Sequence, residues 1–279
     1  MKFLQMRKYF YILSLIIIIP GLVSLFSQGL NLGIDFKGGS ILQVKMDSDV
    51  TAGEVRSALK ELKLEKAEVT RSGDEFFIRT VELDQAQTRE LLNTLKTKFK
   101  NVEFLSAESV GATIGRELTN KALLAVLAAA IAMLIYITIR FEWTFGVAAV
   151  IAELHDILFV LGLFSLFQWE VNTPFIAAML TIVGYSINDT IVIFDRIREN
   201  LRMKKKEDYM SLVNRSITQS LNRSINTVLT CVFALVALLV FGGTTIKIFV
   251  LTMLIGFIIG CYSSIFVASP LWYDIKNKA

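Results

Sequence analysis

Long apolar runs set the plan of this chain. A stretch of about 20 mostly apolar residues is long enough to cross a bilayer as a helix. Six such stretches occur: Tyr9 to Phe26, Asn120 to Ile139, Thr144 to Phe167, Thr173 to Phe194, Leu221 to Phe241 and Ile246 to Ser269. Lipid offers no partner to a free backbone N–H or C=O, so each is predicted to be helical. Between the first two runs, residues 27–118 turn polar and read like a water-soluble domain. The predicted division is residues 1–26 (N-terminal tail and first span), 27–118 (a domain outside the bilayer) and 119–279 (a five-helix bundle with a polar loop over 195–220).

The polar segment has its own punctuation. Residues 33–46 alternate and read as a strand, or as a hairpin turning at Gly38-Gly39. Thr51 to Leu62 reads as a helix, with Thr51 as N-cap and Glu54 completing a capping box. Residues 66–71 and 75–81 read as strands about the Ser72-Gly73-Asp74 turn. Asp84 caps a second helix running to Phe99, and 102–109 makes a last strand. This βαββαβ order predicts an α+β ferredoxin-like domain. The fold class is therefore a polytopic α-helical membrane protein with six transmembrane helices and a ferredoxin-like extracytoplasmic domain.

Composition sharpens this picture. The chain is 54% hydrophobic with a mean hydropathy of +0.56, above the roughly 45–50% apolar content of soluble domains. The placement of its charge predicts orientation, because basic residues favour cytoplasmic loops. Lys2, Arg7 and Lys8 precede the first span. Arg196, Arg198, Arg202, Lys204, Lys205, Lys206, Arg215 and Arg223 crowd the stretch after the fourth, and Lys276 and Lys278 close the chain. Loops 168–172 and 242–245 carry no Lys or Arg. Both termini are thus expected in the cytoplasm, with residues 27–118 on the far side. The basic start also fits a secretion signal. The apolar stretch is longer than a signal core and no A-x-A site follows, so a retained anchor is expected. The outside domain is slightly more acidic than basic, which argues against a nucleic-acid partner.

That domain has no His or Cys and no G-x-x-x-x-G-K-[ST] phosphate loop. It reads as a binding or moving part rather than an enzyme, with no cofactor and no metal. Cys231 and Cys261 lie in apolar runs and are expected to be buried, inert thiols. The candidate chemistry lies in the spans, where a charge costs about 2.5–3.5 kcal/mol on insertion scales. Asp189 sits in the fourth span, about 9 Å inside its cytoplasmic end. Tyr185 and Ser186 share its face, with Asn188 alongside. Arg223 begins the fifth span within a polar stripe of Ser216, Gln219, Ser220, Thr227 and Thr230, with Asn226 nearby. Two readings stand for Arg223: an ion pair with Asp189, or snorkelling to the interface. Glu153 and Asp156 share a face of the third span, while His155, the only histidine, points about 100° away. His155 reads as a hydrogen-bonded packing residue or a proton carrier, Asp156 as a structural or a coupling carboxylate. Gly256 and Gly260 predict close helix packing in the sixth span.

Several stretches now carry a family resemblance. NLGIDFKGGS after the first span, ELHDILFVLG in the third, VGYSINDTIVIFDRIREN in the fourth, SLNRSINTVLT in the fifth and FGGTTIKIFVLTMLIGFIIGCYSSIFVASPLW around the sixth resemble SecF-type members of the SecD/SecF family. That family serves the bacterial Sec translocase and belongs to the resistance-nodulation-division superfamily. The resemblance covers nearly the whole chain. It implies a SecD-like partner subunit, association with the SecYEG channel and with the translocating polypeptide, and use of the proton-motive force with protons as coupling ion. It also implies residence in the bacterial plasma (inner) membrane. By the same resemblance Asp189 carries the proton-linked charge, Arg223 is its basic counterpart, and His155 and Asp156 match a conserved-pattern pair. Glu153, Tyr185, Ser186, Asn188, Asn226 and Thr227 then form a supporting polar network. Asp35, Phe36, Gly38 and Gly39 match a family motif in the outside domain. Two other readings are weighed against a proton-coupled export subunit: a small-molecule or lipid exporter of the same superfamily, and a passive translocon scaffold.

Overall fold

The computed structural model describes residues 3–65, 67–140, 142–203 and 207–278, without the side chains of Leu134 and Lys278. Lys2, Lys66, Lys204, Lys205 and Lys206, which enter the charge and strand expectations, lie outside the described residues. The chain divides into two compact units: Met1–Asn31 with Leu124–Ala279, and Leu32–Leu123.

The first unit is helical. Among the described residues six helices are long and apolar enough to cross a membrane: Leu4–Ser27, Ala112–Arg140, Trp143–Leu166, Thr173–Arg202, Tyr209–Phe241 and Thr244–Asn277. The second passes from one unit into the other. Most of these helices outrun their apolar stretches. The expected loop over 195–220 is largely helix: the fourth span runs on to Arg202 and the fifth begins at Tyr209. Arg, Glu and Leu are good helix formers, and Arg196 pairs with Glu199 one turn on at 2.7 Å. Asp208 accepts the Ser211 amide at 3.3 Å to start the fifth helix, and Asn172 accepts that of Phe175 to start the fourth.

Small residues bring the helices together. Ser14 meets His155 at 2.9 Å and Ser24 meets Ser165 at 2.8 Å, each 141 positions apart. Gly21 meets Gly162 at the same offset, and a Cβ on Gly21 would lie 2.6 Å from the Gly162 Cα. A constant offset means that the first and third spans run side by side in one direction, with backbones in contact. Without a hydrophobic drive between helices in lipid, such close approach and interhelical hydrogen bonds are what hold them. The expected Gly256 and Gly260 packing is present too. A side chain at Gly256 would run into Ile182, and one at Gly260 would lie 3.0 Å from the Ser186 Cβ.

The sixth helix widens into a π turn over Ser264–Ala268. Pro270 explains it: the ring has no N–H and would press on the carbonyl four residues back in a regular helix. The Ser269 hydroxyl donates to the Ser264 carbonyl at 2.9 Å. At one end of the bundle, Trp272 stacks on Phe145 with centroids 4.7 Å apart and donates its indole N–H to Thr144 at 3.2 Å. Arg7 pairs with Asp274 at 3.0 Å, and the Leu4 amide donates to Asn214 at 3.0 Å. The N-terminus, the start of the third and fifth spans, and the C-terminus therefore gather at this end.

The second unit contains a four-stranded sheet of β1 (Gly39–Lys45), β2 (Glu68–Ser72), β3 (Glu75–Thr80) and β4 (Glu103–Val110). Its order is β2-β3-β1-β4, with every neighbouring pair antiparallel. Helices α1 (Ala52–Lys60) and α2 (Gln85–Lys98) cover one face. Val55, Leu59, Leu91 and Leu95 pack there on Leu42, Val44, Val69, Phe76 and Ile78. Thr51 caps α1 and Glu54 returns the bond, forming the expected capping box. The Thr51 amide holds the Glu54 carboxyl below the usual carboxylate range. Asp84 and Gln87 form a second capping box on α2. One element departs from expectation. Residues Ile34–Lys37 form a helical turn instead of a strand, and Gly38-Gly39 does not reverse a hairpin. Gly38 has φ +77° and Gly39 φ +129°, which lead the chain from that turn into β1.

The Gly21–Gly162 contact gives a test. Gly21→Val is expected to lower stability by about 1–3 kcal/mol, since backbone cannot yield to the added atoms. Gly184→Ala, with nothing within 4 Å of its added Cβ, is expected to change little. Thermal unfolding of the two variants in lipid or detergent compares them.

Candidate functional site

Among the described residues three carboxylates, Glu153, Asp156 and Asp189, are buried in the helical unit, and the two aspartates differ in the hydrogen-bonding partners each receives. Asp156, on the third span, is fully buried. Its Oδ1 lies 2.9 Å from His155 Nδ1. Its Oδ2 accepts the hydroxyl of Ser186, on the fourth span, at 2.6 Å and that of Ser263, on the sixth, at 2.7 Å. His155 is buried as well, and its Nε2 meets the Ser14 hydroxyl of the first span at 2.9 Å. Four spans are thus joined at one carboxylate. The sequence places His155 about 100° from Asp156 on the helix, yet the ring reaches its neighbour. The histidine is a hydrogen-bonded partner of both Asp156 and Ser14.

Asp189, three residues beyond Ser186, is also buried, at 8% exposure. Its Oδ1 accepts the Ser224 hydroxyl of the fifth span at 2.6 Å. Its Oδ2 is buried with no hydrogen-bond partner among the described residues. The Tyr185 hydroxyl, one turn away on the same face, is likewise buried, and its polar neighbour is the Cys231 thiol, a weak partner at best. The Tyr185 ring stacks on Phe257 at 3.9 Å. Next to Asp189, Thr190 bonds Ser264 of the π turn at 2.8 Å. Buried carboxylates are costly unless hydrogen-bonded, so the contrast of two hydroxyl donors and an imidazole contact at Asp156 with one hydroxyl donor at Asp189 is a chemical difference between them.

The expected residues fall into two groups. Asp156, His155 and Ser186 come together, while Asp189 takes Ser224 as its partner. Among the described residues no ion pair joins Asp189 to Arg223, which is exposed, although its charge lies close enough to act on that carboxylate. The reason is helical: Ser224 faces the fourth span, and its neighbour Arg223 is turned about 100° away. The polar stripe of the fifth span divides accordingly. Ser216, Ser220 and Ser224 are buried, while Gln219, Arg223, Asn226, Thr227 and Thr230 are exposed. Asn200 bridges to Ser216 at 2.8 Å and to Gln219 at 2.9 Å. Asn188 is exposed on the fourth span. Glu153 is buried at 7% exposure, with its Oε1 unpartnered. Cys231 and Cys261 are free and half-buried rather than fully buried. Sequence reading missed Ser14, Ser224, Ser263 and Ser264. The available signal was the run Ser216, Ser220, Ser224 at i, i+4 spacing, which marks one helix face.

In the second unit, the Asp35-Phe36-Lys37-Gly38-Gly39 turn makes close backbone contacts. A Cβ at Gly38 would lie 3.0 Å from the Ala112 Cα, and one at Gly39 would lie 2.6 Å from the Thr80 carbonyl oxygen. A Cβ at Gly115 would lie 3.0 Å from the Phe36 carbonyl oxygen. Asp35 and Phe36 are half-buried. The two glycines meet a steric need, in which both left-handed backbone and tight approach exclude a side chain.

Comparison with known proteins adds to this geometry. Residues 90–278 match the family described as protein export membrane protein SecD/SecF, C-terminal, and residues 23–50 match the SecD/SecF GG motif. The protein translocase subunit SecF of Sebaldella termitidis is 44% identical over 99% of this chain and 92% of its own length. The protein translocase subunit SecDF of Bacillus subtilis is 39% identical over 99% of this chain, which spans 38% of that protein. The crystal structure of SecDF from Thermus thermophilus, a translocon-associated membrane protein, superposes on 99% of this chain with a TM-score of 0.93 at 38% identity. The chain spans 39% of that SecDF.

Ser224→Ala tests the lone donor at Asp189. It leaves both carboxylate oxygens without a partner, so a loss of about 1–3 kcal/mol is expected. Ser220→Ala removes a bond only to the Ser216 carbonyl of its own helix, and a loss under about 1 kcal/mol is expected. Equilibrium unfolding of the two variants in one detergent makes the comparison.

Proposed function

The chain belongs to the SecD/SecF family of protein export membrane proteins, and from that membership we propose that it is a proton-driven auxiliary subunit of protein export. It is a multi-pass membrane protein. Asp189 is the residue that gains and loses the proton. The observation that carries this reading is its buried carboxylate with one donor and a bare Oδ2. A carboxylate kept ionised in such a place needs more donors, as Asp156 has. Each proton crossing the membrane potential delivers about 2.3 kcal/mol per 100 mV. Changing the charge at Asp189 alters what the fourth and fifth spans gain by staying together, and the outside domain moves in response.

The outside domain is ferredoxin-like on this reading, supported by its βαββαβ order and antiparallel β2-β3-β1-β4 sheet. It is a moving or client-binding part with no reaction of its own. The partner in the membrane is a SecD-like subunit. Relatives called SecDF carry this region as a part of a longer chain. The exposed polar face of the fifth span, with Arg223, Asn226, Thr227 and Thr230, supports a protein neighbour there, since lipid would leave those groups unpaired. The unit works beside a SecYEG-type channel on a translocating polypeptide, in the bacterial plasma membrane. The clustered basic termini support a cytoplasmic position for that end of the bundle.

Asp189→Asn tests this function. Membrane assembly with the partner subunit is expected to persist, while the part of precursor export that depends on the proton gradient is lost. Translocation assayed in vesicles with and without a proton gradient measures it, and unimpaired gradient-dependent export by the variant contradicts the proposal.

A further inference from the structure

We propose that His155 and Asp156 form a second proton-holding site, separate from Asp189, in which the ring carries both of its hydrogens and pairs with an ionised carboxylate. The inference rests on counting hydrogens. Six polar contacts run in one continuous network. Ser186 and Ser263 donate to Asp156 Oδ2. His155 Nδ1 meets Asp156 Oδ1, and His155 Nε2 meets Ser14 Oγ. Ser14 Oγ lies 3.2 Å from the Tyr262 hydroxyl, which donates to the Phe10 carbonyl at 2.8 Å.

A neutral ring beside an ionised Asp156 supplies one hydrogen too few. With the hydrogen on Nδ1, Ser14 must donate to Nε2 and Tyr262 to Phe10, so two oxygens face each other at 3.2 Å with nothing between them. With it on Nε2, the chain through Ser14 and Tyr262 is satisfied, but a bare Nδ1 faces a carboxylate oxygen at 2.9 Å. One added proton completes every contact: Nδ1–H to Asp156, Nε2–H to Ser14, Ser14 to Tyr262, and Tyr262 to Phe10.

Charge points the same way. Asp156 is fully buried, and the only basic side chain paired with it among the described residues is His155. The first span presents Ser14 to this site, the fourth Ser186, and the sixth Ser263 and Tyr262. The third span adds Glu153, a further carboxyl three residues before Asp156. A neutral ring leaves a buried, uncompensated carboxylate, whereas the doubly protonated ring makes the pair neutral overall. The added proton belongs to the ring because Asp156 Oδ2 already accepts two hydroxyls, the surroundings of an ionised carboxylate, and an imidazole is intrinsically the stronger base. Through Ser186 the pair also fixes the helix that carries Asp189, one turn away. His155 is thus a positioning residue.

The chain contains one histidine, so its ring signals need no assignment. The test is nitrogen-15 magnetic resonance of the labelled full chain in lipid nanodiscs at about pH 7.5, where a free imidazole is mostly neutral. Both ring nitrogens are expected at the protonated position, each coupled to its own hydrogen. A bare ring nitrogen in the intact protein overturns the proposal. Asp156→Asn is expected to convert the ring to the neutral form with one bare nitrogen. A ring that stays doubly protonated in that variant overturns the pairing, and if the variant does not fold, the measurement on the unaltered chain decides alone. The readout needs no export activity, so it fails or succeeds independently of the function proposed above.

Discussion

A carboxylate inside a helix bundle must find donors for its oxygens, and here the supply of donors decides what each buried acid can do. Serine hydroxyls are the currency of this interior. They are small enough to let helices touch, and each adds one directional hydrogen. Asp156 collects two of them and a contact to a histidine ring nitrogen, tying together the first, third, fourth and sixth spans. Asp189 receives a single hydroxyl from the fifth span. The rest of the helical unit follows from these two facts: one acid is locked by its surroundings, and the other is left one bond short.

The fourth span links the two. Ser186 faces Asp156, Asp189 faces Ser224 and Thr190 faces Ser264, all within about one and a half turns. A change in charge at Asp189 is therefore applied to a helix whose neighbouring turn is held by four-way bonding. The π turn beside Thr190, made necessary by Pro270, adds a locally irregular backbone next to the acid. On the fifth span the buried serines and the exposed Arg223 face lie on opposite sides, so one helix presents Ser224 to Asp189 and a polar surface to whatever packs outside.

Much of this was legible in the sequence. The six apolar runs gave the spans, because hydropathy over about 20 residues is a strong signal. The Thr51 and Glu54 capping box was readable from two residues at fixed spacing. The helix ends were less readable: between Asp195 and Arg202 only Ile197 and Leu201 are apolar, too few to mark a span, yet nothing there breaks a helix either. The pattern around Gly38-Gly39 fits a strand or a hairpin turn, since local pattern does not reveal that the constraint is a backbone approach to Thr80 and Ala112. Asp189 and Asp156 stood out as charges in apolar runs. Their partners did not, because a serine in a span looks the same whether it bonds its own helix, as Ser220 does, or a carboxylate, as Ser224 does. The Arg223 pairing was plausible by depth alone. Rotation about the helix, which depth does not fix, put its neighbour in that place.

The claim that the two acids differ in kind is most directly tested by infrared difference spectroscopy of the full chain between neutral and acidic pH. The band to follow is the C=O stretch of a newly protonated carboxyl. The account predicts a buried-carboxyl band on acidification that vanishes in Asp189→Asn and persists in Asp156→Asn. A band that survives in Asp189→Asn and disappears in Asp156→Asn contradicts it.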